Sequence, residues 1–562
     1  MDADRNGIRL LLLATVLAPA ARPATAAWAP HGMVASEHVL ASHAGVDMLK
    51  RGGNAVDAAV ATAFAVCVVN PSSCGIGGGG FMLIYMKRAH RAVALDYREV
   101  APAAATRDMF VRDGKVVPDL SLRGGLAVAV PGEVAGLTTA LRRYGQLPLA
   151  TVMQPAIQLA RDGFPVGQHL AKEVTQNLAG LRAAPALAHI FLHPDGTPLL
   201  PGEIVRQPEL AGTLQRIAGG GAHAFYDGEI AARIVRSDRA AGGVLTEADL
   251  ASYHPTWRTP LQAAYDGNTV YAMPPPSSAG VVLEVLGILR GDDLRALGHD
   301  SPAYLHLLAE AMKHAFADRA QHFGDPDAGG EPPQKLLNPQ NTAALRQRID
   351  ASRTLEPNAY GSSALAAAPA SDHGTSHLSV MDADGNAVAC TTTINTGFGS
   401  MVVAEGTGIV LNNEMDDFAA QPGVPNVYGL VGAAANAIAP HKRPLSSMAP
   451  VIVTHGAHPV LALGGSGGPL ILSGTLQVLL NVLDFHLDAT AAVAAPRIHD
   501  QWMPPVLVVE PGVPTATREA LVGSGHAVKE VPAMGAIQVV RRDAGVFEGT
   551  ADPRKGGEAV GW

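Results

Sequence analysis

The chain has 562 residues, of which 48% are hydrophobic and only 16% are charged, and its formal net charge is −9. A negative balance with few basic residues argues against nucleic acid or an anionic membrane surface as the main partner. Gly and Pro are frequent, at 61 and 41 residues, but they alternate with apolar runs, which is typical of a folded, turn-rich protein.

The N-terminal residues predict a signal peptide over 1–26. Two arginines precede the apolar run 10–17, and small residues follow up to Ala24-Thr25-Ala26. A basic start, a short apolar core and an A-x-A site are typical of a secretory leader, although a disordered Ala-rich extension is the alternative. No later stretch reaches the roughly 18 apolar residues of a membrane helix. We therefore expect a periplasmic or secreted protein that begins near residue 27.

Residues 38–97 predict two helices followed by a hairpin. Apolar residues at helical spacing over 42–51 end at a Gly-Gly pair, and Asn54 can cap a second, Ala/Val-rich helix that runs to about residue 69. The apolar runs 81–86 and 92–97 are typical of two paired strands.

A glycine run precedes this hairpin. Residues 75–80 match G-x-G-x-x-G, but a dinucleotide site needs a strand before the motif and a helix after it, and the predicted order here is the reverse. We expect close backbone packing near the active site instead.

The three cysteines are too few for a disulfide framework, and none lies in a C-x-x-C pair. A structural zinc site or a redox motif is therefore not expected. Cys67 and Cys390 lie in Ala/Val-rich runs, and we expect both to be small buried residues.

Residues 130–350 predict mostly helices, including one over 302–323. The Ser/Ala/Pro-rich stretch 362–371 has no apolar period and predicts an exposed, mobile segment. Strand-like runs at 376–381 and 387–394, joined by a turn, follow directly. A second glycine cluster, 464–468, precedes an apolar helix over about 470–485.

Thr375 lies where the predicted mobile segment meets the first of these strands, and Gly374 precedes it. If the chain is cut there, Thr375 carries a hydroxyl and a free α-amine with a pKa of about 7.7–8.0, which can act as base toward that hydroxyl. Gly374 would let its carbonyl approach the hydroxyl without a Cβ clash. A threonine that opens a strand is, by itself, more often a simple strand former.

Several long motifs, in a fixed order, resemble the γ-glutamyltranspeptidase (glutathione hydrolase) family over about residues 30–560. They are 70–82, 95–99, 375–380, 384–388, 391–399, 408–418, 425–429, 442–448, 495–497, 501–502 and 552–554. The resemblance implies an α/β fold, the four-layer αββα sandwich of N-terminal-nucleophile hydrolases, formed jointly by a large subunit (27–374) and a small subunit (375–562).

The resemblance also implies the catalytic residues. Thr375 would be the nucleophile of both autocatalytic cleavage at Gly374-Thr375 and acyl transfer, and Thr393 would hydrogen-bond to it. Gly467 and Gly468 would offer N–H groups as an oxyanion hole. Many members have Ser-Arg after this glycine pair, whereas this chain has Pro469-Leu470; the proline removes a donor and puts the loop shape and leaving-group preference in question.

The remaining implied residues would bind the γ-glutamyl group. They are Arg98, Ser446 and Ser447 for the α-carboxylate, Asn395, Glu414 and Asp417 for the α-ammonium, and Tyr428 in a lid loop. A γ-glutamyl group carries one carboxylate and one ammonium, so a cation, carboxylates and a nucleophile at fixed separation suit it. Taken singly, Arg98 could be a surface strand residue and Glu414-x-x-Asp417 a solvated face.

The implied reaction is γ-glutamyl transfer and hydrolysis, in which the γ-glutamyl group of glutathione passes through a Thr375 ester to water or to amino acid and peptide acceptors. No metal or organic cofactor is expected, because no ligand cluster is evident in the sequence. Two alternatives remain: a cephalosporin or glutaryl acylase of the same fold, against which Glu414 and Asp417 argue, and an inactive secreted binding homologue.

Overall fold

The computed structural model describes residues 24–361 and 374–562. Most of the predicted signal peptide and the predicted mobile segment 362–371 lie outside these residues. In chain order the strands are β1 (Ala26–Ala29), β2 (Gly32–Ser36), β3 (Gly79–Met86), β4 (Arg91–Tyr97), β5 (Val111–Arg112), β6 (Lys115–Val116), β7 (Phe164–Pro165), β8 (Ile204–Val205), β9 (Thr256–Arg258), β10 (Leu261–Tyr265), β11 (Asn268–Ala272), β12 (Ser376–Asp382), β13 (Ala387–Thr393), β14 (Val403–Ala404), β15 (Ile409–Val410), β16 (Val451–His455), β17 (His458–Ser466), β18 (Ile498–His499), β19 (Leu507–Val509), β20 (Val528–Glu530), β21 (Ala536–Asp543), β22 (Val546–Thr550) and β23 (Glu558–Gly561).

The helices connect these strands and cover the sheets. They are α1 (Val39–Lys50), α2 (Ala55–Val69), α3 (Asp119–Leu122), α4 (Glu133–Tyr144), α5 (Leu149–Asp162), α6 (Gln168–Gln176), α7 (Leu178–Ala183), α8 (Pro185–Phe191), α9 (Pro208–Gly220), α10 (His223–Tyr226), α11 (Glu229–Ala240), α12 (Glu247–Ala251), α13 (Gly280–Ile288), α14 (Leu294–Leu297), α15 (Pro302–His322), α16 (Pro339–Arg348), α17 (Leu470–Leu483), α18 (Ala489–Ala494) and α19 (Thr515–Gly523). Among the described residues, no helix combines the length and the apolar character needed to cross a membrane.

Two antiparallel seven-stranded sheets form the centre of the molecule. The first has the strand order β1-β22-β21-β17-β16-β11-β10, and the second has the order β23-β2-β12-β13-β3-β4-β9. Each sheet contains strands from both sides of the Gly374–Thr375 bond. The two sheets contact each other through β12 and β13 of the second sheet and β17 and β21 of the first.

Side-chain alternation along β3 shows how the layers pack. Phe81, Leu83 and Tyr85 face the core between the two sheets, whereas Met82 and Ile84 face a second core under helices. Helices α1, α2 and α4 cover that outer face of the second sheet, and α13 and α17 cover the outer face of the first. The predicted four-layer αββα sandwich is confirmed.

Local sequence signals explain the elements on which the site is built. The Asn54 side chain caps α2 by accepting hydrogen bonds from the N–H groups of Val56 and Asp57, and the Asn54 N–H in turn donates to the Asp57 carboxylate. The helix is buried on every side, as its Ala/Val-rich sequence predicts. The β3–β4 and β12–β13 hairpins are also confirmed.

The prediction of mostly helices over 130–350 is confirmed, although residues 256–272 contain strands β9, β10 and β11, and the two-residue strands β7 and β8 also lie in this range. Strands β9 and β10 lie at sheet edges. Strand β10 contains Gln and Ala, which are helix formers, so its composition does not indicate a strand. The turn between β10 and β11 is Asp266-Gly267, with φ values of 44° and 71°. Asp-Gly between two strand-like runs is a strong hairpin signal, and it was present in the sequence.

Candidate active site

Thr375 lies immediately before β12, in the middle of the second sheet. Its side chain is buried, and its N–H donates to the Ser73 carbonyl over 2.8 Å. Both Gly374 and Thr375 have left-handed backbone, with φ values of 71° and 64°. A Cβ at Gly374 would lie 1.8 Å from the Asn395 carbonyl oxygen, so only glycine fits there. A positive φ at a β-branched residue is strained, and strain of this kind typically marks a functional position.

Thr393, at the end of β13, lies beside Thr375. Their Oγ1 atoms are 3.0 Å apart, and the Asn395 N–H donates to Thr393 Oγ1 over 2.8 Å. That backbone bond holds the Thr393 hydroxyl in place against Thr375. The structure therefore brings the two predicted catalytic threonines together.

Lys555 also lies at this peptide bond, and sequence reasoning missed it. Its ammonium donates to the carbonyl oxygens of Thr375 and Gly374, over 2.6 and 3.2 Å, and to Ser466 Oγ over 3.1 Å. It also forms a buried ion pair with Glu37 over 3.0 Å. Burial raises the pKa of Glu37, with Lys555 opposing that shift. The sequence signal was weak, because Lys555 is simply the residue after the 552–554 motif.

Gly467 and Gly468 follow β17 and have positive φ values of 121° and 56°. A Cβ at Gly468 would lie 2.6 Å from Cδ1 of Tyr428, so the Tyr428 ring packs directly on this glycine. Pro469 stands at the N-terminal boundary of α17 with φ −64°. The first N–H groups of a helix have no intrahelical acceptor, so the proline removes no helix hydrogen bond and starts α17 without strain.

Tyr428, the predicted lid residue, is buried. Its hydroxyl donates to the Asn395 carbonyl over 2.8 Å, and Gln501 Nε2 donates to the Tyr428 carbonyl over 3.3 Å. The loop at 425–429 is therefore closed over the residues that surround Thr375.

Arg98 is fully buried and faces three carboxylates. Its guanidinium pairs with Glu414 and Asp417, and more distantly with Glu99 over 3.4 Å, while Nε donates to the Pro444 carbonyl over 3.1 Å. The surface-residue alternative for Arg98 is thus wrong. The Glu414–Asp417 pair lies on a 3₁₀ turn at this buried site rather than on a solvated face.

The electrostatics of this cluster follow from burial. Burial raises the pKa values of Glu414 and Asp417, and Arg98 opposes both shifts. Burial lowers the pKa of Arg98, but the surrounding carboxylates outweigh it and hold that pKa above its ordinary value. Arg98 is therefore charged at neutral pH.

Asn395 connects the threonine pair to the ionic cluster. Its N–H contacts Thr393, and its side-chain amide donates to the carbonyl of Asn413, the residue before Glu414, over 3.0 Å. Hydrogen bonds of Asn395 therefore connect the segment that holds the predicted nucleophile to the segment that holds the predicted ammonium-binding residues.

Ser446 and Ser447 lie on the segment that follows Pro444. The Met448 N–H donates to Ser446 Oγ over 3.1 Å, and Arg319 donates to Ser447 Oγ over 3.4 Å. Arg319, a buried residue of α15, was not predicted as a site residue. On the sequence it is one polar residue in a long helix, and nothing local marks it.

The first glycine run packs tightly against β13 beside the candidate site, as predicted. A Cβ at Gly78 would lie 1.9 Å from the Thr393 carbonyl oxygen, and one at Gly80 would lie 2.2 Å from the Thr391 carbonyl oxygen. Helix α2 precedes this run and β3 follows it, which is the reverse of a dinucleotide-binding motif. Cys67 and Cys390 are buried and unpaired, as predicted.

Within 24–361 and 374–562, His306, Glu310 and His526 form a buried group whose ligand atoms lie within 4.8 Å of one another. The Lys313 ammonium lies 2.9 Å from Glu310 Oε1 and 3.3 Å from His526 Nδ1. Lys313 thus supplies the positive charge next to these ligand atoms, which disfavours a metal cation there.

The αββα sandwich with a buried threonine at the start of a central strand is the architecture of N-terminal-nucleophile hydrolases. Residues 41–562 match the family model described as Gamma-glutamyltranspeptidase, and the chain belongs to that family.

Curated relatives and solved structures agree with this assignment. The chain is 44% identical over 529 residues to the glutathione hydrolase proenzyme of Escherichia coli K12, covering 94% of this chain and 91% of the relative. It is 42% identical to the Pseudomonas aeruginosa glutathione hydrolase proenzyme, covering 98% of each. A cephalosporin acylase from Bacillus halodurans matches 98% of this chain and 99% of that chain with a TM-score of 0.85 and 32% identity. The Helicobacter pylori γ-glutamyltranspeptidase structure matches 58% of this chain and 93% of that chain with a TM-score of 0.56 and 38% identity.

Proposed function

We propose that this protein is a γ-glutamyltransferase and glutathione hydrolase, which cleaves γ-glutamyl amides such as glutathione and passes the γ-glutamyl group to water or to amino acid and peptide acceptors. Full-length similarity to glutathione hydrolase proenzymes supports the activity. The observation that carries it in this chain is the buried Arg98–Glu414–Asp417 cluster, tied through Asn395 to the threonine pair. A cation and two carboxylates complement a free α-amino acid end.

In the proposed reaction, substrate binding exchanges partners within this cluster. The α-ammonium pairs with Glu414 and Asp417, and the α-carboxylate takes a place on Arg98. A guanidinium presents two parallel N–H groups to a carboxylate, which fixes the orientation of the bound group.

Thr375 Oγ1 then attacks the γ-carbonyl carbon. The α-amine of Thr375 takes the hydroxyl proton and gives it to the departing amine, which leaves a γ-glutamyl ester. N–H groups of Gly467 and Gly468 stabilise the oxyanion. Water or an acceptor amine then attacks the ester carbonyl and regenerates the Thr375 hydroxyl.

The α-amine exists only after the chain is cut, and we propose that Thr375 cuts it. Oγ1 attacks the Gly374 carbonyl carbon, the C–N bond breaks, and the hydroxyl proton ends on the new amine. Water then hydrolyses the Gly374 ester. Strain at φ 71° and 64° is relieved when this peptide bond breaks, and Lys555 lies 3.2 Å from the oxygen that becomes negative.

A Lys555→Gln substitution is expected to slow autocatalytic cleavage by about 100-fold, because it removes a charged donor from the developing oxyanion. Quantifying uncut and cut chain on denaturing gels after a pulse of synthesis measures this rate. Lys87→Gln, which removes a lysine that contacts the Ala457 carbonyl at the surface, is the control and should mature normally. Normal maturation of Lys555→Gln would contradict a role for Lys555 in the step.

We further propose export with removal of residues 1–26, and a mature heterodimer of 27–374 and 375–562. Because each sheet contains strands from both pieces, separating them would expose both cores. After cleavage the two pieces should co-elute on size-exclusion chromatography under native conditions.

The nearest alternative is a cephalosporin or glutaryl acylase, given the Bacillus halodurans match. Glutaryl-p-nitroanilide lacks only the α-ammonium of γ-glutamyl-p-nitroanilide. We expect kcat/KM to favour the γ-glutamyl compound by about 100-fold or more, since the glutaryl group would leave a buried carboxylate without its cation. Preference for the glutaryl compound would establish the acylase instead. An uncut chain without turnover would support the inactive binding homologue.

A further inference from the structure

Arg319 is a buried cation in the second half of α15, a helix packed into the hydrophobic core. Only 3% of the residue is exposed. Its Nε donates to Ser278 Oγ over 2.8 Å and its terminal nitrogen donates to Ser447 Oγ over 3.4 Å. Within 24–361 and 374–562 no carboxylate lies within salt-bridge distance of this guanidinium, in contrast to Arg98. A buried cation without a counter-charge is costly unless an anion reaches it.

The hydrogen-bond directions around Arg319 are determined by its chemistry. A guanidinium only donates, so the hydroxyl oxygens of Ser278 and Ser447 must accept from it. The Ser278 hydroxyl in turn donates to the Ser446 carbonyl over 2.5 Å. Ser447 Oγ therefore accepts a hydrogen bond from Arg319, and the Ser447 hydroxyl proton can be donated to another group.

The Ser446 hydroxyl oxygen also accepts a hydrogen bond from a neighbouring donor. The Met448 N–H occupies its Oγ, so its hydroxyl proton is also directed elsewhere. Two neighbouring hydroxyls that each accept one hydrogen bond and keep a proton to donate form a donor pair. An incoming carboxylate, which accepts only, is the complementary group.

The charges near Arg319 agree with this arrangement. Burial lowers the pKa of Arg319 to about 10, with Asp417 opposing the shift and Arg98 adding to it. Arg319 is still protonated at neutral pH. The site thus contains two guanidinium groups: Arg98 pairs with Glu414 and Asp417, and Arg319, among the described residues, donates only to serine hydroxyls.

We propose that Arg319 is a positioning residue for the α-carboxylate of the γ-glutamyl group. It directs the Ser447 hydroxyl toward the carboxylate, holds the 446–447 backbone through Ser278, and supplies a second positive charge beside Arg98. This inference rests on the proposed function. It makes Arg319 a determinant of specificity for acyl groups that carry a carboxylate.

The test compares two substrates on cut, purified enzyme. 4-Aminobutyryl-p-nitroanilide lacks only the α-carboxylate of γ-glutamyl-p-nitroanilide. Arg319→Gln is expected to lower kcat/KM for the γ-glutamyl compound about 100-fold, mainly through KM, and to change that for the 4-aminobutyryl compound by less than about threefold. Arg319→Lys keeps the charge and should recover part of the loss. Arg346→Gln, which breaks a peripheral pair with Asp292, is the control.

The outcomes separate the inference from the proposed function. If the wild-type enzyme shows no preference for the γ-glutamyl compound over the 4-aminobutyryl compound, the proposed function itself fails. If the wild-type enzyme prefers the γ-glutamyl compound and Arg319→Gln keeps the same preference, the role of Arg319 is overturned. The role is also overturned if Arg319→Gln lowers kcat/KM equally for both substrates. If Arg319→Gln does not mature, Ser278→Ala decides by the same ratio: a selective loss on the γ-glutamyl compound supports the proposal, and an unchanged ratio rejects it.

Discussion

Replacement of Thr375 by alanine is expected to leave a single uncut chain and to lower kcat/KM for γ-glutamyl-p-nitroanilide by at least about 10⁴-fold. Removing a catalytic nucleophile typically costs this much or more, because no other group forms the covalent intermediate. Thr375→Ser keeps a hydroxyl at the same atom and should still be cut. Denaturing gels measure the cleavage, and initial rates at several substrate concentrations measure the turnover.

Thr454→Ala is the matched control, because Thr454 is a buried threonine of β16 in the other sheet. It should be cut at the wild-type rate even if its thermal stability falls. Two fragments from Thr375→Ala, with a normal thermal transition, would show that another group is the nucleophile of cleavage.

Replacement of Asp417 by asparagine should have the second largest effect, and it should depend on the substrate. Asparagine keeps the shape but loses the charge that pairs with the α-ammonium, so kcat/KM for γ-glutamyl-p-nitroanilide should fall about 100-fold or more. Turnover of glutaryl-p-nitroanilide, which has no ammonium, should fall by less than about threefold. Arg98 keeps Glu414 and Glu99 as partners, so the variant should still fold.

Asp416→Asn provides the control for this experiment. Asp416 is the adjacent buried carboxylate, but it accepts from Ser121 Oγ and from the Val427 N–H rather than from Arg98. Burial raises its pKa to about 7, so the carboxyl is about half ionised at neutral pH and its replacement removes less charge than that of a fully ionised carboxylate. A loss of equal size for both substrates in Asp417→Asn would indicate a structural role instead of recognition of the ammonium.

Local patterns in the sequence were sufficient for much of the fold. The cap at Asn54, the buried helix α2 and the β12–β13 hairpin each follow from periodicity and turn chemistry within about 20 residues. Strands β9 to β11 were missed because two of them are short or lie at sheet edges, where few apolar side chains are required. The Asp266-Gly267 turn was the available signal.

Most of the candidate site was predicted through motif resemblance, and the structure brings those residues together. Arg319 and Lys555 were not predicted for a physical reason. Arg319 contacts Ser447 and Lys555 contacts the Gly374 carbonyl, and in both cases the two partners are far apart in the chain. A local sequence pattern does not indicate such a contact. The pairing of Arg98 with Glu414 and Asp417 likewise depends on tertiary structure.

The central claim is that the chain cuts itself before Thr375 and that this threonine then carries the γ-glutamyl group. N-terminal sequencing of the smaller fragment, with its intact mass, tests this most directly. The account predicts a fragment that begins Thr-Ser-His-Leu and extends to Trp562. A purified protein that stays a single chain, or a fragment that begins at any other residue, would contradict it.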